Sequence, residues 1–163
     1  DMMIHDFDMA RFLLGHDEII GVTATGSVLV DPAIGAAGDV DTATATLRTK
    51  SGKIAVITNS RRATYGYDQR IEVHGSKGAV SASNVHNNTV TLANKDGYHD
   101  APLLDFFMER YAAAYRTELQ SFVKAIETGA AMSPSGIDGL KALELADAAV
   151  KSMQTGQEVK VSV

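Results

Sequence analysis

The sequence predicts an α+β domain, an open and largely antiparallel sheet with helices packed on one face, and two observations carry that prediction. Apolar residues at spacings of three and four mark the start of the chain and its last third. Between them lie stretches of alternating or β-branched residues divided by turn signals. The order is therefore helix, strands, two helices, strand. Taken in turn, Ile4, Phe7, Met9, Phe12, Leu13 and Leu14 predict a helix over about 4–14, and Gly15 stands where a C-cap belongs. "EIIGVTATGSVLV", "DVDTATATLRT", "KIAVITNSRR", "QRIEVHG", "GAVSAS" and "NTVTLAN" read as consecutive strands, with turns at Ser51-Gly52 and Gly75-Ser76-Lys77-Gly78. The small, flexible stretch "AIGAAG" reads as a loop. Phe106, Phe107, Tyr111, Tyr115, Leu119, Phe122, Val123 and Ile126 predict one long amphipathic helix from about Asp105 to Gly129, with its stripe in the core. Ser135 can cap a second helix over about 136–153, with Ile137, Leu140, Leu143, Leu145, Ala148 and Ala149 turned inward. Gly156 and a short strand in "EVKVSV" end the chain.

A chain of 163 residues can bury a core without staples, and no repeat or linker divides it, so 1–163 reads as one domain. It has no cysteine, which excludes disulfides, thiolate metal sites and cysteine nucleophiles. A formal charge of −5, with only Arg61 and Arg62 adjacent, speaks against a nucleic-acid surface. No apolar run approaches the roughly 18 residues of a membrane helix, and the expectation is a soluble, cytoplasmic chain. Helices on one face leave the other to be covered. Thr and Ala alternating in "TATATLRT" make that face moderately apolar, which points to a subunit partner, a homodimer or homotetramer.

Asp1 and His5 are four apart and share a helical face, where a carboxylate can hold one imidazole nitrogen and leave the other as a general base. The same spacing also describes an ordinary helix-start carboxylate and an incidental exposed histidine. Asp1, His5 and Asp8 could conceivably hold a metal, but acidic residues are ordinary in a first turn, and no metal site is assigned. In "NSRRATYGYDQR", Asn59, Tyr65 and Tyr67 gather donors, acceptors and flat apolar faces suited to a polyhydroxylated ligand. Tyr67 could equally close the core, with Arg70 paired to Asp68 or Glu72. His74, His86 and His99 read as surface residues. No G-x-G-x-x-G, Walker loop or nucleophile elbow occurs.

"DMMIHDFDMARFLLG", "YGYDQRIEVHGSKGAV", "ERYAAAYRTELQSFVKAIETG" and "SGIDGLKALELADAAVKSMQTGQEVKV" together resemble the C-terminal domain of the glucose-fructose oxidoreductase, inositol dehydrogenase and rhizopine catabolism family. The likeness covers essentially the whole chain, and the "YGYDQR" stretch is similar to the inositol-acting branch. The resemblance implies a substrate-binding and oligomerisation domain over 1–163. It also implies a preceding dinucleotide domain, absent from this chain, that binds NAD or NADP and supplies a lysine. Asp1 matches the family's carboxylate and His5 its histidine, while Tyr65 or Tyr67 falls where relatives contact substrate. The implied reaction oxidises a secondary ring alcohol of a cyclitol or sugar, myo-inositol at C2 first among them, to a ketone. Two other classes remain open, a non-catalytic dinucleotide- or sugar-sensing relative and a metal-assisted isomerase or aldolase. This chain alone is expected to be inactive.

Overall fold

The computed structural model describes residues 2–15 and 17–162. In chain order the elements are α1 (Met3–Leu14), β1 (Ile19–Ser27), α2 (Pro32–Ala36), β2 (Thr42–Thr49), β3 (Ile54–Ser60), β4 (Ile71–Gly75), β5 (Gly78–Ala82), β6 (Thr91–Asn94), β7 (Gly97–Asp100), α3 (Phe107–Arg110), α4 (Ala112–Thr128), α5 (Gly136–Thr155) and β8 (Val159–Lys160). They divide into two compact units, one made of residues up to 62 together with 133 onward, the other of 63–132.

The first unit is a four-stranded antiparallel sheet in the order β3-β2-β1-β8. Its register opposes Val22 to Leu47, Ala24 to Ala45 and Ala45 to Ile57, so these side chains stand on one face. Phe7 and Ala10 of α1 and Leu145, Ala148 and Ala149 of α5 close over that face, and the residues of this cluster are buried. Helices on one side of an antiparallel sheet are what the sequence predicts. The opposite face carries Thr23, Thr25, Thr44, Thr46 and Thr58, all exposed, with Ile54 and Val56 each 66% exposed.

Several details differ from expectation. "AIGAAG" contains part of α2, because Pro32 presets the first turn and the Asp31 carboxylate accepts a hydrogen bond from the Ala33 N–H at 2.9 Å. On α5 the buried stripe is Ala142, Leu145, Ala148, Ala149 and Ser152. Ile137, Leu140 and Leu143 lie off this stripe and are exposed, since small residues bring the helix close to the sheet along one narrow line. Ser135 caps α5 as expected, in a reciprocal box with Asp138.

The second unit holds two separate hairpins, β4-β5 and β6-β7, rather than further strands of the main sheet. Two-residue connections, Ser76-Lys77 and Lys95-Asp96, make local pairing the shortest solution for each. The expected long helix is broken at Tyr111 into α3 and α4. Of α4 only Ala125 is buried, and Tyr115, Leu119, Phe122, Val123 and Ile126 are exposed, so its apolar stripe is not the core stripe expected from spacing. Gly129 ends the helix with φ +67°, a conformation a side chain would strain.

Candidate active site

His5 lies in the first turns of α1 and its side chain is exposed. With Ile4, Asp8, Gly139 and Ala142 it lines a hollow of about 250 Å³ between α1 and α5. Asp1, the expected partner, lies outside the described residues. Phe7 and Ala10 fix the rotation of α1 by inserting into the core, which leaves His5 and Asp8 on the outer side. Arg11 pins the helix further, since its guanidinium donates to Asp8 Oδ1 at 3.0 Å and to the carbonyl and Oδ1 of Asp138, each at 3.3 Å. Hydrogen bonds from the Ser135 backbone N–H and hydroxyl, joined by Arg11, hold the Asp138 carboxyl below its ordinary range.

Asn59, on β3, donates from Nδ2 to Asp6 Oδ2 at 3.0 Å, while its Oδ1 is buried and has no partner among the described residues. It thus ties β3 to α1 one residue from His5.

Tyr65 and Tyr67 belong to the second unit, and their surroundings differ. Tyr67 packs edge-on against Tyr111, with ring centroids 5.6 Å apart, and its backbone N–H donates to the Leu104 carbonyl at 2.8 Å. Tyr65 is 59% exposed, and its hydroxyl donates to Asp68. Between them Gly66 has φ +120°, and a Cβ there would lie 2.7 Å from Leu103 Cβ, so only glycine fits. Asp68 is the hub that sequence reasoning saw only as one possible partner of Arg70. It receives Arg70 Nε at 2.7 Å and Nη2 at 2.9 Å, and Asn84 Nδ2 at 2.9 Å, besides the Tyr65 hydroxyl. The Arg70 bonds hold its carboxyl down at about 2 against the effect of burial, and the Tyr65 and Asn84 bonds reinforce them.

The N-terminus of α5 is closed by the Asp138 carboxylate, and α1 carries Asp6 in its first turn, so a phosphate would meet like charge at either. Among the described residues no three histidine or carboxylate side chains gather as a metal site, and no helix is long and apolar enough to cross a membrane.

Residues 1–161 match the model of the oxidoreductase family, C-terminal alpha/beta domain. The chain belongs to this family. Inositol 2-dehydrogenase of Rhizobium meliloti (strain 1021) is 60% identical over 162 residues, which are 99% of this chain and 49% of that protein. A crystal structure of a myo-inositol dehydrogenase from Corynebacterium glutamicum ATCC 13032 is 44% identical and superposes with a TM-score of 0.94, covering 100% of this chain and 49% of that one. The scyllo-inositol dehydrogenase of Lactobacillus casei, solved with bound NAD(H) and scyllo-inositol, is 30% identical with a TM-score of 0.88, covering 98% and 47%. This oxidoreductase-family chain therefore spans about half the length of the curated relatives it matches.

Proposed function

We propose that the protein carrying this chain is an NAD-dependent dehydrogenase that oxidises a secondary ring alcohol of a cyclitol, myo-inositol at C2, to the ketone. The observation that carries this reading is His5, exposed in a hollow on a helix whose rotation is fixed by its buried face, in a chain 60% identical to an inositol 2-dehydrogenase. The hollow is smaller than the roughly 300 Å³ at which ordinary small-molecule pockets begin, which suits a chain that supplies one wall of a site. His5 accepts the hydroxyl proton, and Asp1 orients the imidazole and stabilises its cation. The nicotinamide, held by sequence outside this chain, supplies the hydride acceptor. Residues 1–163 act as the substrate and oligomerisation domain, with the open sheet face meeting a second copy, in the cytoplasm.

Of the two tyrosines, Tyr65 is the better substrate contact, because its ring is exposed while Tyr67 is committed to Tyr111. Asn59 stays a candidate contact only if its bond to Asp6 opens.

Turnover of myo-inositol by the full-length protein, followed by reduced-cofactor absorbance, tests the reading. His5→Ala is expected to lower kcat by about 10²- to 10⁴-fold, the usual loss for a general base, with NAD affinity nearly unchanged. Near-parental turnover in His5→Ala would show that His5 is only part of a helix start.

A further inference from the structure

We propose that Asp68 is the positioning residue for Tyr65, fixing where the phenol oxygen points and committing it to accept, rather than donate, a hydrogen bond from a substrate hydroxyl. This rests on the reading that Tyr65 meets the ring alcohol.

Tyr65, a residue more than half exposed, has little packing of its own to select a side-chain rotamer. Its backbone is held on the following side, where Gly66 fits against Leu103 and Tyr67 is anchored to Leu104 and Tyr111. What remains free is the direction of the side chain, and the hydroxyl bond to Asp68 sets it. Asp68 cannot turn away. Its side chain is only 16% exposed, and Arg70 grips both carboxylate oxygens, Nε on Oδ1 and Nη2 on Oδ2. Asn84 adds a third grip, donating to Oδ1 while its own Oδ1 accepts the Gln69 N–H at 2.8 Å. The anchor is thus built from the protein's own groups.

Polarity follows from the same bond. A phenol has one proton and two acceptor lone pairs. With the proton spent on a carboxylate that Arg70 keeps ionised, the oxygen offers only lone pairs to its surroundings. A cyclitol hydroxyl meeting it must donate, which leaves that hydroxyl's own lone pairs for other groups. Asp68 thereby selects the orientation of a ring whose hydroxyls could otherwise bond either way.

The test is a double-mutant cycle in the full-length protein, with myo-inositol as the probe. Tyr65→Ala, Tyr65→Phe, Asp68→Ala and the double variant Tyr65→Phe/Asp68→Ala are compared for kcat and for the KM of myo-inositol and of NAD. Asp68→Ala is expected to raise the KM for myo-inositol by about three- to tenfold, the effect of having to order one freed side chain on binding, with kcat and the KM for NAD close to parental. In the Tyr65→Phe background, Asp68→Ala is expected to add nothing further. An equal KM increase with and without the Tyr65 hydroxyl overturns the proposal, because Asp68 would then act through the general fold. A raised KM in Tyr65→Ala beside an unchanged one in Asp68→Ala also overturns it, while leaving the reading of Tyr65 intact. An unchanged KM in Tyr65→Ala overturns the reading itself, and the proposal with it. Should circular dichroism show Asp68→Ala unfolded, Tyr65→Phe decides: it removes only the anchored hydroxyl, and a parental KM there overturns the proposal.

Discussion

Asp41 shows how one carboxylate can organise a stretch of chain without touching chemistry. It is 3% exposed and accepts the backbone N–H groups of Leu29, Val30 and Asp31, at 2.8, 2.8 and 2.9 Å, and the Thr42 hydroxyl at 3.0 Å. Burial alone pushes the carboxyl up, but the three backbone donors and Thr42 outweigh it and hold it down at about 2. The folded-state value lies below the ordinary 3.8. Its stabilising contribution is therefore complete above about pH 4 and disappears as pH falls through about 2. Asp41→Asn is expected to lower Tm by on the order of 5 °C at neutral pH and to flatten the loss of stability between pH 4 and 2. Scanning calorimetry across that range checks both, and a variant that keeps the parental acid slope would refute the assignment.

At the scale of elements, α5 is joined to the sheet by a buried hydroxyl as well as by its apolar stripe. The ladder between β1 and β8 pairs Gly21 with Lys160 and Val22 with Val159. Two residues on, the Ala24 N–H donates instead to Ser152 Oγ at 2.9 Å, and that hydroxyl donates in turn to the Gln157 carbonyl at 2.7 Å. Ser152 has no exposed surface. One side chain thus satisfies a strand donor and closes the turn after α5. Ser152→Ala leaves the Ala24 N–H buried and unpaired, and it is expected to destabilise the chain by about 1–3 kcal/mol in urea unfolding. Ser135→Ala, which breaks only the exposed cap of the same helix, is expected to cost about 1 kcal/mol. Equal effects would mean that the buried bond contributes no more than an ordinary cap.

For the molecule as a whole, the consequential surface is the open face of the four-stranded sheet. Its threonines carry no charge, and Ile54 and Val56 are two-thirds exposed beside them. If this face meets a second copy, sedimentation of the chain shows a dimer or tetramer whose interface buries more than about 1,000 Å². Val56→Arg places an unpaired charge in that contact and is expected to give a monomer with an unchanged circular dichroism spectrum. A parent that sediments as a monomer over a wide concentration range would remove this role from the face.

The sequence by itself determined what depends on neighbours along the chain: the helix at the start, the caps at Gly15, Gly129, Ser135 and Gly156, the strands from Ile19 to Ser60, and the motifs that carry the family resemblance. Periodicity and cap chemistry act over one or two turns, so single residues report them. Tertiary structure decided what depends on partners far away. Leu140 and Leu143 look as inward as Leu145 in sequence, but the line along which α5 meets β1 excludes them. Strands β4 to β7 pair only within their hairpins, because strand propensity does not specify a partner. Tyr65 and Tyr67 are two residues apart and chemically identical. Asp68 stands close along the chain to both, but Tyr111 is far from either, and only the fold commits Tyr67 to it and leaves Tyr65 to Asp68, because ring contacts are made by distance in space, which a linear pattern does not encode.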